Sequence, residues 1–198
     1  LPSAGHCWQC GRFYEIGGGE YLCSECLGQP PLLAVHRSAL PYQGVLREII
    51  LLFKFKEYRC LARPLTELAL KMTREDENLW AGVEMLVPVP LHPQREKERG
   101  FNQAKLLAGV FAKYLGLPWE AKVLKKVINS PPQSSVEGKN RWVNVRNVFQ
   151  VRKRERVAEK VICLVDDVYT TGATLNECAR VLLRAGAKEV RAITIARA

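Results

Sequence analysis

Apolar and polar positions follow two rhythms along this chain. Across residues 43 to about 56, Val45, Ile49, Leu52 and Phe53 recur at helical spacing. The same period puts Leu65, Leu68, Ala69 and Met72 on one face of a helix opening near Pro64, a residue suited to a first turn because its missing N–H would be unpaired there anyway. Leu107, Val110, Phe111 and Tyr114 predict a third inward face within "FNQAKLLAGVFAKYLG", stopped by Gly116 and Pro118. Leu175, Cys178, Ala179 and Leu182 predict a fourth, with Gly186 just past its end. Short apolar runs read as strands: "EMLVPVP" (84–90), residues 122–128, "VFQV" (148–151), "VICLV" (161–165) and "VRAITIA" (190–196). Residues 30–41, "PPLLAVHRSALP", read as a linker or a leading strand.

The order of these elements predicts a fold class. Helices dominate to residue 83, and beyond it strands alternate with helices, the pattern of an α/β protein whose parallel sheet is covered on both faces. Three segments are expected: a small cysteine-rich module at 1–30, a linker and helical region at 31–83, and the sheet-containing domain at 84–198. Within the last, "NSPPQSSVEGKNRWVNVRN" (129–147) is polar and carries no period.

Composition narrows the picture. The chain has 198 residues, 47% apolar and 25% charged, as expected for a soluble globular protein able to bury a core. No apolar run approaches the roughly 18 residues of a membrane span, and the first residues lack a charged start followed by an apolar stretch. A cytoplasmic protein, not integral to a membrane, is the expectation. The net charge of +10 is concentrated: between Glu120 and Lys160 eleven Lys and Arg face four Glu, so +7 of it lies there. Such a segment is either a solvated face or a surface for an anionic partner.

Seven cysteines fall into two groups. Cys60, Cys163 and Cys178 are solitary, and the last two sit on apolar faces, where cysteine acts as a small hydrophobe. Cys7, Cys10, Cys23 and Cys26 form C-x2-C-x12-C-x2-C. Two such hairpins can complete a tetrahedron of thiolates, with Gly17–Gly19 supplying the reversal between them. The spacing points to Zn²⁺, ahead of an iron–sulfur centre or disulfides. Four thiolates leave no open coordination position, so this metal is expected to be structural. His6, beside Cys7, is an alternative ligand or simply a neighbour.

The remaining chemistry lies in "VICLVDDVYTTGAT" (161–174). An apolar strand runs into Asp166 and Asp167, both expected to face solvent where ligands of parallel sheets bind, beyond the strands' carboxyl ends. Carboxylates there can accept from sugar hydroxyls or hold Mg²⁺. "TTGAT" opens a helix, whose first N–H groups can surround a phosphate while Gly172 permits close approach. Diols on one side and phosphate on the other describe a ribose 5-phosphate. The plainer alternative, a capped strand–helix turn, explains one Asp and one Thr. No G-x-x-x-x-G-K-[ST] run is present, which excludes a P-loop NTPase.

This stretch resembles the phosphoribosyl pyrophosphate (PRPP) signature of type I phosphoribosyltransferases. Together with "VPVPLHPQREKERGFNQA", "PPQSSVEGKNRWVNVRNVF" and the four cysteines, it resembles the ComF family of competence proteins over nearly the whole chain. The resemblance implies a type I phosphoribosyltransferase-like sheet behind a zinc module, and an association with uptake of single-stranded DNA in natural transformation. It implies PRPP binding by Asp166, Asp167, Thr170, Thr171, Gly172, Ala173 and Thr174, with Arg95, Lys97 and Arg99 in the loop after "VPVP" on the pyrophosphate side. Arg99, Lys139 and Arg141 are the implied catalytic residues, and 129–146, with Gln133 and Asn144, the implied closing loop. "SVEGKNRW" stands where a Leu-Ser-Arg-Glu-Arg-Arg-like run is expected, so the loop's second Arg has weaker support. Two functions follow: Mg²⁺-dependent phosphoribosyl transfer to an unidentified acceptor, or a non-catalytic adaptor binding PRPP, single-stranded DNA and proteins of the uptake machinery.

Overall fold

The computed structural model describes residues 5–14, 20–55, 58–128 and 147–198. The cysteine-rich module consists of β1 (Gly5–Cys7), β2 (Phe13–Tyr14), β3 (Glu20–Tyr21) and the short helix α1 (Ser24–Gly28), with strand order β2-β1-β3. Among the described residues its interior is the four cysteines, with Tyr14, Tyr21 and Leu22 packed against them. So small a core cannot offset the entropy of ordering the segment by itself. The reversal expected at Gly17–Gly19 lies outside the described residues.

The rest of the chain builds one four-stranded sheet. β4 (His36–Pro41) leads into α2 (Gly44–Phe55), α3 (Ala62–Thr73) and the short α4 (Glu77–Trp80). There follow β5 (Met85–Pro88), α5 (Pro93–Arg99), α6 (Gln103–Leu115), β6 (Leu124–Lys126), β7 (Phe149–Val151), β8 (Val161–Tyr169), α7 (Ala173–Arg184) and β9 (Glu189–Arg197). The sheet runs β4-β9-β8-β5 with every pairing parallel. Residues 161–165 of β8 and 192–196 of β9 are almost wholly apolar because both faces are covered. Ile162, Leu164, Val190 and Ala192 share one core with Leu175, Cys178, Ala179 and Leu182 of α7. Val161, Cys163, Val165, Ile193 and Ile195 share the other with residues of α2, α3 and α6. Phe53 and Phe111 anchor that second core and are fully buried; truncating either to alanine would cost about 3–5 kcal/mol.

Residues 36–41 are the strand of the two readings, an edge strand able to end in Pro41. Three details depart from the sequence pattern. The runs at 122–128 and 148–151 form an antiparallel ribbon of their own, β6 with β7, outside the parallel sheet. The helix faces are met in part: Phe53, Leu65, Ala69, Leu107 and Phe111 are buried as expected, but Val45, Leu52, Leu68, Met72 and Tyr114 are exposed, while Ile50, Thr66, Leu70 and Thr73 are buried. Thr73 tolerates burial because its hydroxyl donates to the Ala69 carbonyl (2.9 Å). Finally, β8 does not end at the acidic pair but continues through it, with Asp166 opposite Thr194 and Tyr169 opposite Arg197. Among the described residues no helix is long and apolar enough to cross a membrane.

Candidate functional site

Because β8 continues through Asp166 and Asp167, their side chains point to opposite faces of the sheet. Asp167 lies on the α2 side and is buried, not solvent-facing as expected; it pairs with the Lys54 ammonium at 3.1 Å. Burial works against charge on Lys54, but Asp167 and then Asp166 outweigh it and raise its pKa. Asp166 lies on the α7 side, half-buried, and its Oδ1 accepts from the Asp167 N–H (2.9 Å). Burial, reinforced by the neighbouring Asp167 charge, pushes its carboxyl up to about 7. One carboxylate is therefore paired with a lysine, while burial and its neighbour's charge raise the pKa of the other.

Further cations converge on this pair. The residues after β5, expected as a loop, form the helix α5: Pro93 occupies its first turn, His92 Nδ1 accepts from the Gln94 N–H (3.3 Å), and Gly100 ends it at φ 77°. Arg95 and Arg99, one turn apart, share a face, whereas Lys97 is exposed elsewhere on the helix. Arg99 donates to Gln103 Oε1 (2.9 Å) and lies over the Phe55 ring, while Gln103 donates to the Lys54 carbonyl (3.2 Å). The end of α2, α5 and the start of α6 are thereby tied together. Burial lowers the pKa of Arg99, offset in part by Asp167 and Asp166. Burial does the same to Lys126 of β6, offset in part by Cys178 and Asp166. Cations crowded around two carboxylates, one of them drawn toward neutrality, leave a surplus of positive charge that suits a polyanion.

The turn after β8 supplies a second anion-binding element. Gly172 adopts φ 75° as the N-cap of α7, and a Cβ there would strike the Tyr169 hydroxyl. The Asn176 side chain donates to the Gly172 carbonyl (3.1 Å) and accepts from the Leu32 N–H (2.8 Å). Thr171 Oγ1 accepts from the Ala173 N–H (3.4 Å). Thr170 and Thr171 line a cleft of about 740 Å³ between this turn and the cysteine module, shared with Arg12, Tyr169 and Arg197. Ala173 and Thr174 begin α7, whose twelve residues give its N-terminus the partial positive charge of a full helix.

The cysteines meet as their spacing requires. The sulfurs of Cys7, Cys10, Cys23 and Cys26 lie within 4.8 Å of one another, all four residues buried. Cys10 and Cys23 Sγ are 3.8 Å apart, near the roughly 3.8 Å edge of a tetrahedron with 2.3 Å zinc–sulfur bonds. The Cys23 N–H points at Cys7 Sγ (3.4 Å). Burial raises the Cys10 and Cys26 thiols; it also opposes ionisation of Cys7, but backbone donors outweigh it and bring that thiol to about 7. The donor set fits Zn²⁺, which would hold the module together. His6 is not among the four clustered ligands.

Gln133, Lys139, Arg141 and Asn144 lie outside the described residues. Lys54 and Lys126 escaped the sequence reading. The one available signal was "FKFK", a lysine closing an apolar helix, and it does not say what that lysine faces.

The family described as "Phosphoribosyl transferase domain" matches residues 102–198. Competence protein F of Haemophilus influenzae is 32% identical over 203 residues, covering 100% of this chain and 86% of that protein. Competence protein ComFC of Bacillus subtilis is 31% identical over 206 residues, covering 98% and 78%. Among solved structures, adenine phosphoribosyltransferase from Leishmania tarentolae aligns with a TM-score of 0.44 at 14% identity, covering 74% of each chain.

Proposed function

The chain belongs to the ComF family of competence proteins, and from that premise we propose that it binds PRPP with Mg²⁺ at the carboxyl ends of β8 and β5. The observation that carries this reading is the acidic pair on the central strand, set between cations and a helix-opening turn. In it, Thr170–Thr174 take the 5-phosphate through backbone N–H groups and hydroxyls. Asp166 and Asp167 serve the ribose hydroxyls and the cation. Arg95 and Arg99 meet the pyrophosphate, with Lys97 at the periphery. Mg²⁺, when bound, adds neutralisation of the pyrophosphate charge. In a transfer reaction the bond from ribose C1 to pyrophosphate breaks, an acceptor bonds to C1, and Arg99, Lys139 and Arg141 stabilise the departing anion. The reading places the protein in the cytoplasm, where PRPP and reduced thiols coexist.

Calorimetry tests it. PRPP should bind with Mg²⁺ and at least about tenfold more weakly after chelation or in Asp166→Asn/Asp167→Asn. Equal binding by wild type and the double variant would overturn the assignment.

A second reading, a single-stranded DNA-binding adaptor without turnover, is favoured by one observation: Arg152, Lys153, Arg154 and Arg156 are consecutive exposed cations broken only by Glu155. Such a run can track phosphates, and Trp142, outside the described residues, is proposed to stack on a base. Pyrophosphate release from PRPP in the presence of candidate acceptors separates the two readings.

A further inference from the structure

The core reads three consecutive carbonyls of the first cysteine hairpin. Arg37 Nη1 donates to the Trp8 carbonyl (2.6 Å), the His36 N–H to Gln9 (2.7 Å), and His36 Nδ1 to Cys10 (2.8 Å). Arg197 Nη1 donates to the same Cys10 carbonyl (2.5 Å). The approach is close: a Cβ on Gly11 would come within 2.7 Å of the His36 carbonyl. Since a carbonyl can only accept, His36 carries its proton on Nδ1, and Nε2 faces the Thr194 and Ser38 hydroxyls (3.1 and 3.4 Å). This fully buried imidazole stacks on Tyr169, centroids 4.1 Å apart, and the Arg197 guanidinium lies 4.4 Å from the centre of the same ring. Tyr169 is the last residue of β8, and its hydroxyl fills the space over Gly172.

We propose that the cysteine module is a strut for the phosphate-binding turn: the metal-organised hairpin fixes His36 and Arg197, these fix Tyr169, and Tyr169 sets the conformation of 170–174, so that metal loading and phosphate binding are coupled. His36, Arg197 and Tyr169 are positioning residues. The coupling has a continuous physical route, since each link is a buried hydrogen bond or ring contact whose geometry depends on the one before it. It also accounts for an otherwise isolated fact. A module whose own core is four cysteines is seated on the sheet by carbonyls that only its folded hairpin presents together. This inference rests on the assignment of 170–174 to phosphate.

Hydrogen exchange of the full-length protein, alongside metal analysis, provides the test. Chelation should speed exchange of amides 169–174 about tenfold or more, the scale set by losing a hydrogen bond from a charged donor, while α6 amides keep their rates. Arg197→Met should produce the same increase with one metal still bound per chain, and chelation should then add little. Tyr169→Phe, a milder change that keeps the ring, should retain metal and give about a threefold increase. Unchanged turn exchange in both variants overturns the strut. So does an increase spread evenly over α6 in both, because that is general loosening. PRPP calorimetry separates the two claims. A wild type that fails to bind PRPP but shows the exchange pattern sinks the ligand assignment alone, whereas normal PRPP affinity in Arg197→Met with unmoved exchange sinks the coupling alone.

Discussion

Asp166 makes a counterintuitive prediction: neutralising it should stabilise the ligand-free protein while weakening binding. Its carboxyl is raised from 3.8 to about 7 by burial and by Asp167. An acid whose pKa is higher folded than unfolded binds more protons in the native state between those values, so stability falls as pH rises through that window. The displacement corresponds to about 4 kcal/mol at full effect. Side-chain rearrangement and solvent at a half-buried position reduce this to about 1–2 kcal/mol. Asp166→Asn removes the cost and leaves the Lys54–Asp167 pair intact. In thermal melts without Mg²⁺ or PRPP, Tm of the variant at pH 7.5 should exceed that of wild type by roughly 2–8 °C. The advantage should shrink steadily as pH falls from 7 toward 4. A variant less stable than wild type at pH 7.5, or one whose advantage does not change with pH, would refute the argument that strain is stored in this carboxylate.

Other outcomes follow from the same contacts. Lys54→Met should destabilise the protein by about 2–4 kcal/mol by leaving Asp167 buried and uncompensated, with much of the loss recovered in Lys54→Met/Asp167→Asn; urea denaturation measures both. PRPP affinity should weaken as pH drops below about 7, because Asp166 must be ionised to serve a cation or hydroxyl, and a flat titration would contradict that role. Purified protein should carry one Zn²⁺, lost in Cys23→Ser with unfolding of the module; metal analysis finding none would reject the site. If single strands bind through four or five phosphates, log K against log salt should slope near −3 and flatten when Arg152, Lys153, Arg154 and Arg156 are neutralised together. An unchanged slope leaves those residues as a solvated face.

The sequence alone determined what depends on short spacing. Two C-x2-C hairpins bring four sulfurs together wherever the chain can reverse, and the cluster is present. "VICLVDDVYTTGAT" is strand, turn and helix start in one uninterrupted stretch, so local geometry suffices to put carboxylates beside a helix N-terminus. Alternation of apolar segments was likewise enough for a parallel sheet covered on both faces. The tertiary structure decided what each of these groups faces. Opposite sides of β8 differ because α2 covers one and α7 the other, and only that packing pairs Asp167 with Lys54 while raising the pKa of Asp166. Phe53, Leu65, Ala69, Leu107 and Phe111 are buried as expected, but Val45, Leu52, Leu68, Met72 and Tyr114 are exposed, because helical period fixes which residues share a stripe but not how that stripe is centred on the sheet. Residues 36–41 became a strand by pairing with β9, and Arg197 reaches Cys10 across a separation of 187 positions. Such contacts exist once the chain has closed on itself, and no periodicity along it records them.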